Sequence, residues 1–251
     1  MIASPTIQQL AKTIEETCAP RRQMPGQPTG WDLVDQALAE DGIPRGVLHE
    51  WFGDPNEPPS RPPHWVPPLS VMIHLAGQAA SNPAIPHSWP IVWIGRRCWP
   101  YPVALPEAVL ERSIFVDAPD LAERAWAIDV TLRCPAIAAV VADGSGLSMA
   151  ATRRLQLGAG EGGSLALLLR PPHELRQLSA AHTRWTVSPA PSATRDTRWT
   201  VRLLRCKGMR PSQESTWTIQ LNHETGALDL VSHARDRSGE AEAEAATVRT
   251  A

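Results

Sequence analysis

The sequence predicts an α/β fold: a mostly parallel sheet flanked by helices, extended by a C-terminal antiparallel meander. Three observations carry this. Between residues 47 and 169, short apolar segments alternate with helical patterns of about 10–16 residues, the signature of βαβ crossovers. After Pro172 the chain turns to alternating, β-branched and aromatic segments separated by turn residues. At 251 residues with 43% hydrophobic and 20% charged content, the chain can bury one substantial core.

In chain order, residues 4–18 read as an amphipathic helix with Ile7, Leu10, Ala11 and Ile14 on one face. A Pro-rich linker follows from 20 to 28. Residues 29–38 read as a helix with Leu33, Val34, Ala37 and Leu38 apolar, residues 42–46 as a turn, and 47–52 as a strand ending at Gly53. Seven prolines within 54–68 dictate an irregular loop, because proline fixes φ and donates no backbone hydrogen bond. Helix is expected at 69–80, strands at 91–94 and 113–116, and a helix at 118–133 with Pro119 in its first turn. A strand at 137–142 ends in Asp143, a helix spans 147–157 and a strand 164–169. The meander is expected at 183–188, 199–206, 216–221 and 227–231. From about 235 the composition loses its large apolar residues except Val248, which reads as a disordered tail. The division is therefore a helix and linker at 1–28, a core at 29–234 and a tail at 235–251.

Composition narrows the function classes. The apolar runs are too short to span a bilayer, no secretory leader opens the sequence, and Cys18, Cys98, Cys134 and Cys206 form no CxxC pair. Buried free thiols in a reducing cytoplasm are expected. A net charge of −2 gives no global pull toward nucleic acid, yet the 24 basic residues include only two lysines, Lys12 and Lys207. Between Arg195 and Arg210 six basic residues face one acidic residue, Asp196. His49, His64, His74 and His87 show no metal-ligand spacing and read as structural. No cofactor or metal is expected.

The segments 29–53, 115–146, 199–207 and 216–221 resemble, in order and spacing, the core of the RecA recombinases. Within that superfamily the chain is similar to the ImuA family through Gly42-Ile43-Pro44-Arg45-Gly46-Val47-Leu48-His49-Glu50, Leu132-Arg133-Cys134-Pro135, Arg153-Arg154-Leu155-Gln156-Leu157 and Leu203-Leu204-Arg205-Cys206-Lys207-Gly208. The resemblance implies a RecA-like core and a role in SOS-induced, error-prone translesion DNA synthesis. It implies as partners RecA, an ImuB-like Y-family polymerase homologue and an error-prone polymerase alpha subunit, with DNA at most weakly bound.

A phosphate loop requires glycines that expose backbone donors, a lysine for the phosphates and a hydroxyl for Mg²⁺. The matching stretch here is Gly53-Asp54-Pro55-Asn56-Glu57-Pro58-Pro59-Ser60, and no lysine lies between Lys12 and Lys207. The position of the catalytic carboxylate reads Gly95-Arg96-Arg97. Gly53 and Asp143 are thus expected to be vestiges of a nucleotide site, and the chain to be no enzyme. The alternative is a divergent RecA-type ATPase or a DNA-binding recombination protein. Arg205 and Lys207 match the place where RecA-type subunits carry basic residues that reach a neighbour's ATP. Arg153, Arg154, Arg202 and Arg210 are candidate contacts to DNA or a partner. Residues 4–18 either dock on a partner or fold back on the core.

Overall fold

The computed structural model describes residues 26–38, 40–56, 65–192, 196–209 and 215–231. The expected terminal helix at 4–18, the tail from 235, Arg210, His64 and the phosphate-loop residues 57–60 lie outside the described residues.

Nine strands form one sheet: β1 (Leu48–Phe52), β2 (Ile91–Ile94), β3 (Ser113–Val116), β4 (Ala139–Asp143), β5 (Leu165–Arg170), β6 (Thr183–Ala190), β7 (Arg198–Cys206), β8 (Thr216–Leu221) and β9 (Leu228–Leu230). Their order is β3-β2-β4-β5-β1-β6-β7-β8-β9. Every pairing from β3 across to β6 is parallel, and the pairings from β6 to β9 are antiparallel. The α/β class and its C-terminal meander are therefore as the sequence predicts.

Five α-helices are described: α1 (Asp32–Gln36), α2 (Leu69–Ser81), α3 (Glu107–Leu110), α4 (Leu121–Arg133) and α5 (Met149–Gly162). One face of the sheet packs on α1, α2 and α3 through Trp31, Val34, Met72, Leu75 and Val109. The other face packs on α4 and α5 through Ile128, Leu132, Leu155 and Ala159. Covering both faces is what a parallel sheet demands, and it explains why β1, β2, β4 and β5 are buried at every residue.

Local chemistry moves several boundaries. Helix α4 begins after Pro119, because the Asp120 side chain accepts the Glu123 N–H and caps it. Helix α5 starts two residues later than expected, at a Ser148 cap, and runs five residues further, to Gly162. Gly163 closes it in the left-handed conformation, φ 73°. A Cβ on Gly162 would lie 2.0 Å from the Leu132 carbonyl oxygen, so α4 and α5 meet backbone to backbone there. Strand β7 stops at Cys206, which leaves Lys207 in the turn that follows.

Candidate functional site

In open parallel sheets, ligands bind beyond the carboxyl ends of the strands. Here that rim is formed by Gly53 after β1, Gly95 after β2, Asp143 at the end of β4 and Arg170 at the end of β5.

At Gly53 the chain returning into α2 passes very close. A Cβ on Gly53 would sit 2.8 Å from the Val66 carbonyl oxygen. The glycine is required by this approach, and what faces it is an acceptor, where a phosphate would need donors. Asp54 accepts from Ser188 Oγ at 3.1 Å and from the Asn56 N–H at 2.9 Å, which adds a carboxylate to the same rim. Beside it lies a largely apolar hollow of about 420 Å³ walled by Val66, Pro67, Pro68, Val187, Pro189 and Trp199.

Asp143 is almost completely covered, and cations of the chain itself hold its carboxylate. Arg97 Nη1 donates to Oδ2 at 3.0 Å, and Arg124 Nε lies 4.0 Å from the same oxygen. The other oxygen accepts the Ser145 N–H at 2.9 Å, which fixes the turn after β4. Arg124 also donates to the Ser145 carbonyl, and Arg97 packs over the Trp65 ring at 5.7 Å. A metal at this carboxylate would have to displace two guanidiniums. Cys98, buried beneath this cluster, has its thiol pushed well above the usual range by burial, reinforced by Asp143.

A second group of charges went unnoticed in the sequence. Glu50 in the middle of β1 and Arg170 at the end of β5 are fully buried, 0% exposed, and paired at 2.7 Å. Arg170 also pairs with Glu174 at 2.6 Å, and donates to Gln177 Oε1 and to the Leu147 carbonyl. Glu50 in turn accepts from Arg184 of β6 at 2.8 Å and from Ser179 Oγ at 2.6 Å. Glu174 accepts the Gly146 N–H at 2.8 Å. Two carboxylates and two guanidiniums balance, as buried charge requires. Burial lowers the Arg184 guanidinium pKa against the pull of Glu50; in Arg170 burial acts the same way, but the two carboxylates outweigh it and raise the pKa. The network ties the turn after β4 (144–147) to the segment between β5 and β6 (171–182). A signal was present: a Glu inside Leu-His-Glu-Trp-Phe and an Arg closing Leu-Ala-Leu-Leu-Leu-Arg are charges in otherwise buried strands.

The other candidate residues fall in different places. Arg154 pairs with the buried Asp129 at 2.7 Å and Arg133 joins them; their hydrogen bonds overcome burial and lower the Asp129 pKa. Arg153 and Arg202 are exposed. Arg205 donates to the carbonyls of Ser179 and Ala181, so its guanidinium is engaged with its own chain, whereas Lys207 is exposed. His49 is buried between Thr183 Oγ1 and the Pro44 carbonyl, each at 2.7 Å, and His74 meets the Thr29 carbonyl, as structural histidines do. Burial lowers both, His49 to about 3. Among the described residues no group of three or more His, Cys, Asp or Glu side chains could hold a metal ion. No described helix is long and apolar enough to cross a membrane.

Comparison with known proteins gives the family. No family model matches. The chain is 32% identical over 167 residues to Protein ImuA of Caulobacter vibrioides, in each of two strains, covering 58% of this chain and 67% of that protein. The chain belongs to the ImuA family. In this ImuA-family member the Asp143–Arg97–Arg124 cluster occupies the rim at the end of β4.

Proposed function

We propose that this ImuA-family protein is a non-catalytic accessory factor of error-prone translesion DNA synthesis, working with an ImuB-type polymerase homologue, with RecA and with an error-prone polymerase alpha subunit. Family membership supports the role in the mutagenesis system and the ImuB-type partner. The non-catalytic reading rests above all on one observation: the carboxylate at the end of β4 is neutralised by Arg97 and Arg124. A Mg²⁺–nucleotide would meet positive charge where its metal must bind and a carbonyl and a carboxylate where its phosphates must bind. The network of Glu50, Arg170, Glu174 and Arg184 adds to this reading, because ion pairs of the chain itself hold the turn after β4 and the segment after β5.

Isothermal titration with Mg²⁺-ATP tests the first half: no heat of binding is expected at physiological nucleotide, and a micromolar dissociation constant would overturn it. Pull-downs with RecA, with and without single-stranded DNA, and with the ImuB-type partner test the second. Loss of capture in all of them sinks the adaptor role while leaving the nucleotide result standing.

A further inference from the structure

Helix α4 joins β3 to β4 and α5 joins β4 to β5, and these strands are all parallel, so the two helices lie side by side and point the same way. On their outer face Trp126 is 65% exposed and Leu157 62%, with Val130 also exposed, whereas Trp31, Trp51, Trp93 and Trp185 are buried. A hollow of about 340 Å³ opens beside Trp126, floored by Ala122, Ala125, Ala150, Ala151 and Leu155. An uncovered indole next to a hollow marks a docking surface.

Two exposed charges flank this strip, Glu123 of α4 and Arg153 of α5, and neither has a side-chain partner among the described residues. Arg154, by contrast, is already paired with Asp129. Asp129 lies against Gly158 and Arg154 of α5, which marks the side on which the helices touch. At about 100° per residue, Glu123 lies about 120° round α4 from Asp129, and Arg153 about 140° round α5 from Gly158. The two charges therefore sit on opposite outer flanks of the face. Their heights match as well. Gly158 packs beside Asp129, and Gly162 beside the Leu132 and Cys134 carbonyls, so Arg153 stands level with residues 123–125 of α4. Its displacement from Glu123 along the helix axis is then no more than about 3 Å.

A face with opposite charges at one height on its two flanks is complementary to itself, as a two-fold interface requires. Rotation by 180° about an axis parallel to the helices and midway between them lays α4 of one copy over α5 of another at unchanged height. Glu123 of each copy then meets Arg153 of the other, Val130 comes within a turn of Leu157, and Trp126 comes over the other copy's hollow. A partner surface of a single charge sign would match only one flank. We propose that the α4–α5 face is a self-association surface, through which two copies of this chain pair about that two-fold axis. Helices of 13 and 14 residues present a face about 20 Å long and about 20 Å wide, smaller than a standard interface, so the dimer is weak, with micromolar affinity.

The full chain should show a reversible monomer–dimer equilibrium in sedimentation across about 1–500 µM, with nothing larger than a dimer, because a two-fold interface closes. Trp126→Glu should leave it monomeric over that range. Glu123→Arg and Arg153→Glu should each weaken the dimer at least about tenfold, by setting like charges together. An equimolar mixture of these two variants should associate to within about threefold of the unaltered chain, because every flank again meets its opposite. The double variant Glu123→Arg/Arg153→Glu should recover in the same way. The mixture carries the same substitutions as its components, so its recovery reads charge pairing and not folding. A chain that stays monomeric throughout overturns the proposal. So does a dimer that survives Trp126→Glu, or a mixture of the charge variants that associates no better than either alone.

Discussion

Arg170→Met is the sharpest test of the buried charge network. The substitution keeps most of the side-chain volume and removes five hydrogen bonds: two to Glu174 and one each to Glu50, Gln177 and the Leu147 carbonyl. Glu50 retains Arg184 and Ser179, but Glu174 loses the one arginine paired with its carboxylate among the described residues and keeps the Gly146 N–H. Removing one partner of a buried pair costs about 3–5 kcal/mol, because the remaining charge stays desolvated. For a domain of this size each kcal/mol lowers the melting temperature by about 2–4 °C, so a fall on the order of 6–20 °C is expected. Urea denaturation followed by far-UV circular dichroism measures the free energy directly. Arg170→Met combined with Glu174→Gln should recover part of the loss, since the stranded charge is then gone. A loss below about 1 kcal/mol in the single variant would refute the argument that these ions depend on one another.

Three further outcomes are expected. His49 has its pKa depressed to about 3 from the ordinary 6.5, so between those values the unfolded chain binds a proton that the folded chain refuses, and stability falls with falling pH. At pH 5 this group alone removes about 2 kcal/mol relative to pH 7, and equal unfolding free energies at the two pH values would contradict its burial as the neutral form. Gly162→Ala should destabilise by at least about 1–3 kcal/mol, because its new methyl group would overlap the Leu132 carbonyl; an unchanged melting temperature would show that α4 and α5 are not in backbone contact. If RecA's ATPase or filament length responds to this protein, Lys207→Ala should weaken the response without altering stability, whereas Arg205→Ala should lower stability by freeing the Ser179 and Ala181 carbonyls. A stable Arg205→Ala variant that loses the RecA effect would reverse these two assignments.

The strands were legible because their burial leaves a local mark. Ile91–Ile94, Ser113–Val116 and Thr216–Leu221 fall where apolar or alternating residues place them. Helix ends were harder, because capping outweighs pattern: Asp120 begins α4 past Pro119, and the glycines at 158 and 162, which look like helix breakers, are inside α5 because α4 lies against it there. At the rim, the missing lysine and the prolines could be read directly. The cations that neutralise Asp143 could not, since Arg97 is 46 residues away and comes beside it only through the pairing of β2 with β4. Glu50 and Arg170 are 120 residues apart in sequence and meet for the same reason, across the pairing of β1 with β5.

The join between the parallel sheet and the meander also carries an optical label. Trp51 of β1 and Trp185 of β6 are stacked with ring centroids 4.9 Å apart and planes 5° from parallel, and Trp217 of β8 lies 6.2 Å from Trp185. Indoles this close couple their electronic transitions, so the native fold should show an exciton couplet in the far ultraviolet that no isolated tryptophan produces. The couplet depends on the registers Trp51↔Trp185 and Val201↔Trp217, with β7 between β6 and β8. Its amplitude during refolding would therefore report when the meander joins the parallel strands, separately from the helical signal of α2, α4 and α5.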